Sequence, residues 1–142
     1  MTVRKNERKP SKMEVQNKAY ELAAHTIQMA GNESVVPKHH RWAMGNHLFK
    51  IAMSIAEHID MANSLDLFVP SEREQRSLEQ SLALAKMFSL RTAIHTAHEL
   101  SKFDDEKQKH WIGLVLEVQK LLKGWRESDR QRVENFQNGH SL

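Results

Sequence analysis

Cysteine is absent from this chain of 142 residues, which excludes a disulfide framework and any thiolate-held metal centre. Proline and glycine are scarce, at three and five residues, so the punctuation that a strand-and-turn fold needs is missing. No stretch approaches membrane-spanning length, and Met1 to Ser11 is basic and polar with no apolar run behind it. Neither a secretory signal nor an anchor is expected, and the reading is a cytoplasmic, membrane-free protein. There is no glycine-rich phosphate loop and no glycine-flanked serine turn, which removes the common nucleotide and acyl-transfer chemistries. A formal charge of +3 with pI near 9.3 is mild and selects no partner by itself.

What is present is helical periodicity. Ala83, Met87, Leu90, Ile94 and Ala97 step by four and three, and so do Trp111, Val115, Val118, Leu122 and Trp125. The short hinge Lys102 to Asp105 leaves room only for an antiparallel return. Upstream, Ser11-Lys-Met-Glu14 reads as a capping box that opens a first helix striped by Val15, Ala19, Leu22, Ala23, Ile27 and Ala30. Gly31 is expected to stop it at positive φ, before a loop with Val35 and Val36 exposed. Pro37 opens a second helix, Lys38 to Ser64, with a broad stripe from Met44 through Leu48, Ile51, Ala52, Ile55 and Ile59 to Ala62.

Leu67, Phe68 and Val69 are apolar enough to fold over a bundle end, and Pro70 interrupts any continuous helix. Ser71 and Glu74 form a second capping box for a third helix, Glu72 to Leu100, while Asp104 or Asp105 caps the fourth. From Glu127 the pattern dissolves. The expectation is one all-α domain, an antiparallel up-down-up-down four-helix bundle over residues 11–128, with a disordered basic arm at 1–10 and a flexible tail at 129–142. Trp111 and Trp125 bound the last seam as structural residues. Leu84, Phe88, Leu114 and Leu121 lie off the two seams, a surplus that points to self-association or to a wider core.

Chemistry is sparse. Nine His invite a metal, but no Glu has a His three residues after it, which removes the carboxylate-bridged dimetal bundle. His95 and His98 share a face without a third ligand, so no metal, no cofactor and no enzyme activity are expected; a small His-dependent metalloenzyme is the alternative from another class. The basic residues are more telling. Arg4, Lys5, Arg8, Lys9 and Lys12 crowd the first dozen residues, either as a polyanion contact or as a solvated leader. Lys38, Arg41 and Lys50 with His39, His40 and His47 follow on the second helix, and Lys86 and Arg91 on the third, interspersed with Glu57, Asp60 and Glu79. Copied around a symmetric oligomer, such a patch would concentrate positive potential.

Val36-Pro-Lys-His-His-Arg-Trp-Ala-Met-Gly45, the stripe into Ala62-Asn63, Leu90-Arg91 through His98-Glu99-Leu100, and Leu121-Leu-Lys-Gly-Trp125 resemble the accessory variability determinant (Avd) proteins of diversity-generating retroelements. The same pattern is similar to the bundle proteins encoded by intervening sequences in ribosomal RNA genes, but their Asn-Ile-Ala-Glu-Gly run is replaced here by Glu57-His-Ile-Asp60. The resemblance implies a barrel-like homopentamer of four-helix bundles that binds RNA and possibly DNA. It also implies a reverse transcriptase partner, with the accessory protein itself non-catalytic in mutagenic reverse transcription. An rRNA-related role is the alternative that the sister group implies. Carried over by position, Lys38, Arg41 and Arg91 match basic positions of the family, with Lys50 and Lys86 as further expected contacts. His95 stands where a second Arg is usual, and Lys123 where Gly is usual.

Overall fold

The computed structural model describes residues 12–139, and among them the secondary structure is helical, with four α-helices and no strand. They are α1 (Lys12–Ala30), α2 (Asn46–Asn63), α3 (Pro70–Ser101) and α4 (Asp105–Gln137). The basic arm, the Ser11 cap and the last residues of the expected tail lie outside the described residues. α1 packs on α2 and α4, and α3 packs on the same two helices. Their inward stripes meet in one core in which Leu48, Ile55, Ile59, Met87, Leu90, Ile94, Trp111 and Leu122 are fully buried. None of the described helices is long and apolar enough to cross a membrane.

α1 buries Val15, Ala19, Leu22, Thr26 and Met29, a track of four and three. Ile27, expected inside, stands about 100° around the helix from Thr26 and is exposed. The buried Thr26 hydroxyl accepts a hydrogen bond from Trp111 Nε1 at 3.0 Å, so neither polar group is left unpaired in the core. The loop after α1 also departs from expectation. Gly31 is not among the positive-φ residues, and Val35 and Val36 are buried. The Asn32 carbonyl accepts from both valine amides, its side chain accepts from Ser34, and Ser101 Oγ donates to the Val35 carbonyl at 2.8 Å. Those bonds satisfy the loop backbone and let the two side chains turn inward.

The second helix begins irregularly. Pro37 leads into a 3₁₀ turn, Lys38–His40, then a π turn, Arg41–Gly45, before α2 proper. Gly45 is buried where a side chain would stand 3.3 Å from Arg41 Cγ and 3.5 Å from the Ala30 carbonyl, so a methyl group there would touch the end of α1 and press the Arg41 side chain aside by a few tenths of an ångström.

Pro70 opens α3 instead of halting the chain before it. Its fixed φ suits the first turn, where no amide is needed, and Val69 precedes it without a side-chain cap. Ser71 and Glu74 therefore do not form the expected box; Glu72 instead reaches back to the Asp66 amide at 3.2 Å. At the hinge, Lys102 adopts the left-handed conformation at φ 51° and returns its amide to the His98 carbonyl, and Asp104 caps α4 by accepting from the Glu106 amide at 2.9 Å.

α4 does not dissolve at Glu127 but continues to Gln137. Arg130 bridges Glu127 and Glu134 at helical spacing, and Asp129 is buried against α3. Trp125 is 3% exposed within this packing. Trp125→Ala should lower unfolding stability by about 3 to 5 kcal/mol, measured by denaturant titration; an unchanged midpoint would mean that the ring is not part of the core.

Candidate nucleic-acid interface

The start of α3 and the end of α4 enclose an open cleft of about 860 Å³. Its floor is a buried ion pair. Arg76 donates through Nε and Nη2 to the two oxygens of Asp129 at 2.8 and 3.0 Å, and through Nη1 to the Leu65 carbonyl at 3.0 Å. Gln80 adds a third hydrogen bond to Asp129, and the guanidinium lies 4.8 Å from the centre of the Trp125 ring. A buried carboxylate and guanidinium with this many partners are satisfied within the protein and have little left for a ligand.

The walls differ. Arg73 on α3 donates Nε to the Leu67 carbonyl, and Arg126 on α4 donates to the Ser81 hydroxyl at 3.0 Å. Both acceptors are neutral, so neither bond cancels the positive charge. Lys123 is exposed on the same wall as Arg126. Arg130, by contrast, lies between Glu127 and Glu134, so its charge is cancelled and the trio as a whole carries one net negative charge. The arrangement offers Arg73, Lys123 and Arg126 to an anion across the closed Arg76–Asp129 pair.

The residues expected from sequence fall in several places. Arg41 pairs with Glu33 at 2.9 Å, the Lys38 amide is held by the same carboxylate, and both precede α2 beside the 84%-exposed Trp42. Lys50 is exposed on α2. Lys86 lines the α2–α3 groove with His47 and Thr96. Arg91, five residues on and so about 140° around α3, lies over the Phe88 ring at 5.8 Å. His95 meets the Gln108 amide at 3.2 Å and His98 meets Asp105 at 2.9 Å, so the two imidazoles have separate partners on α4. Of the residues expected at an oligomer interface, Leu114 is buried in the chain's own core, Leu84 and Leu121 pack against it, and Phe88 is exposed. A larger apolar group, absent from the sequence expectation, gathers Ile27, Trp42 and Phe49 around a shallow α1–α2 groove of about 380 Å³.

Other titratable pairs join helices. His58 Nδ1 lies 2.6 Å from Glu79, which also accepts from Gln75, tying α2 to α3. His25 on α1 stacks edge-on to His110 on α4, with ring centres 5.1 Å apart. Among the described residues no group of three or more His, Cys, Asp or Glu could hold a metal ion.

The cleft residues do carry a signal in the sequence. Lys123, Arg126 and Arg130 are spaced by three and four, and the charge pairs Glu127–Arg130 and Arg130–Glu134 follow helical spacing. Compared with known proteins, the chain matches no family model, no curated protein and no solved structure.

Asp129→Ala should destabilise the protein by about 3 kcal/mol or more, because it strands the buried Arg76 charge; calorimetric melting of the variant checks this. Burial first, and the neighbouring His110 second, lower the pKa of His25 below its ordinary value of 6.5. The folded state therefore resists a proton that the unfolded chain accepts, and stability should fall as pH drops below about 6.5, the loss levelling off below the folded pKa. His25→Gln should remove that part of the pH dependence in melting curves taken between about pH 7.5 and 5.5.

Proposed function

We propose that this chain is a non-catalytic, self-associating accessory protein that binds nucleic acid and a reverse transcriptase in the cytoplasm, supporting mutagenic reverse transcription in a diversity-generating retroelement. The α3–α4 cleft carries the nucleic-acid part of this reading, because Arg73 and Arg126 bond to neutral acceptors and keep their charge for an external anion. The bundle order of the resembling family has support in the contacts: Arg76 meets Asp129, Arg126 meets Ser81, and His98 meets Asp105, so later residues of α3 face earlier residues of α4. Gln16 to Asp60 and His58 to Glu79 relate the other neighbours in the same reversed sense. Such pairings favour up-down-up-down connectivity.

Self-association is favoured by Trp42, Phe49 and Ile27, which leave apolar area in water where the described chain offers nothing to cover it. The resemblance implies a barrel-like homopentamer as the assembly. Lys38, Arg41, Lys50, Lys86, Arg91 and His95 are then the contacts proposed for the polymerase or for RNA outside the cleft.

The test is nucleic-acid binding by purified protein across a salt series. Affinity for a single-stranded RNA should fall linearly on logarithmic axes, by about 0.7 per phosphate contact, and a salt-independent affinity would count against the reading. Light scattering on the same sample should give a multiple of the 16.5 kDa chain, and Trp42→Glu should shift it toward a monomer.

A further inference from the structure

An aromatic shelf borders the cleft. Phe68, from the loop before α3, and Phe136, near the end of α4, contact each other with ring centres 5.1 Å apart and planes inclined at 47°. The Arg132 guanidinium lies 5.4 Å from the centre of the Phe68 ring, and Phe136 remains 50% exposed. The immediate chain neighbours of this pair, Leu67 and Gln137, line the cleft itself. Lys123 and Phe136 lie about 20 Å apart along the α4 axis, the length of roughly six stacked nucleotides at ~3.4 Å each.

Cations in a groove beside an exposed ring are the two components that hold a single strand without reading its sequence. Charge alone would accept duplex and single strand alike. The ring does not, because a duplex keeps its base faces inside the stack, whereas an unpaired base can lay its face on Phe136. The cleft lining carries five cations, Arg73, Arg76, Lys123, Arg126 and Arg130, against four carboxylates, Glu74, Glu127, Asp129 and Glu134, so its net charge is one positive and the placement of the cations decides what it can hold. Asp129 is committed to Arg76, and Glu127 and Glu134 share Arg130, while Arg73 and Arg126 bond to neutral oxygens and Lys123 is exposed beside them. We infer that the α3–α4 cleft and its Phe68–Phe136 shelf form a single-strand-selective nucleic-acid site, with phosphates on Arg73, Lys123 and Arg126 and a base stacked on Phe136. This rests on the proposed nucleic-acid function and locates it at residues that the family resemblance did not point to.

The experiment uses the full chain with labelled oligonucleotides of about twelve residues, as RNA and as DNA, and with the matched duplex; site sizes of ~4 to 16 nucleotides make that length sufficient. The single strands should bind about tenfold or more tighter than the duplex. Phe136→Leu keeps an apolar contact to Phe68 but removes the ring, so it should weaken single-strand binding about tenfold with an unchanged salt slope. It should also abolish the fluorescence quenching of a 2-aminopurine placed in the strand. Arg73→Gln with Arg126→Gln should instead flatten the salt slope by ~0.7 for each phosphate that is no longer neutralised. Helicity and melting temperature measured on every variant establish that each is folded.

Equal affinity for duplex, or an unaltered affinity in folded Phe136→Leu, overturns the inference. So does displacement of the oligonucleotide by polyglutamate at equal charge concentration, which would assign the cleft to an acidic polypeptide. If the unmodified chain binds no oligonucleotide, the proposed function fails as well. If it binds, and Arg91→Ala weakens binding while the cleft variants do not, the function stands and only this site is wrong.

Discussion

The Arg76–Asp129 pair is the constraint on which the far end of the molecule depends. Two ions removed from water are a net cost unless their hydrogen-bonding groups are met. Here the carboxylate accepts from Arg76 and Gln80, and the guanidinium also reaches the Leu65 carbonyl. Three separate segments must therefore be in place together: the loop after α2, the second turn of α3 and the last third of α4. An apolar pair of similar volume could hold two helices together with less desolvation, but it would not fix the loop through a directed bond. The ion pair sets register where the hydrophobic stripes have run out, and the cleft walls take their positions from it.

The elements legible in the sequence are those with strong period and few polar exceptions. The α3 and α4 seams, from Ala83 to Ala97 and from Trp111 to Trp125, are buried as their spacing implies. Departures cluster where a polar group does apolar work or the reverse. Thr26 takes the inward place expected of Ile27 because Trp111 offers its hydroxyl a partner. Val35 and Val36 resemble ordinary loop residues because nothing local shows that Asn32 and Ser101 will satisfy the backbone around them. Pro70 looks like a barrier in sequence, yet its geometry is that of a first helical turn.

The same cause hides the candidate site. Asp129 and Arg76 are charged, so hydrophobic period alone assigns the last turns of α4 to a tail, although their side chains are less than one-tenth exposed. With α4 ended that early, Asp129 has no helix to hold it against Arg76 and Phe136 no neighbour. The basic residues expected from sequence lie on the strongly periodic stretches, and the structure distributes them over several grooves: Arg41 beside α1, Lys86 facing α2, Arg91 over its own Phe88. Convergence of charges from distant segments is a tertiary property, and spacing along one helix cannot disclose it.

The left-handed Lys102 bears on the order of folding. A hinge this short brings His98 and Asp105 together across very little chain, so closing the α3–α4 hairpin there costs little loop entropy, and contacts of such low sequence separation form fast. Arg76 and Asp129 are separated by 53 residues and join only when pairing has travelled the full length of both helices. The cleft thus stands at the end of the hairpin farthest from the hinge. A ligand that spans it would bind only while both helix ends are in place, so occupancy of the cleft would stabilise the folded chain by mass action.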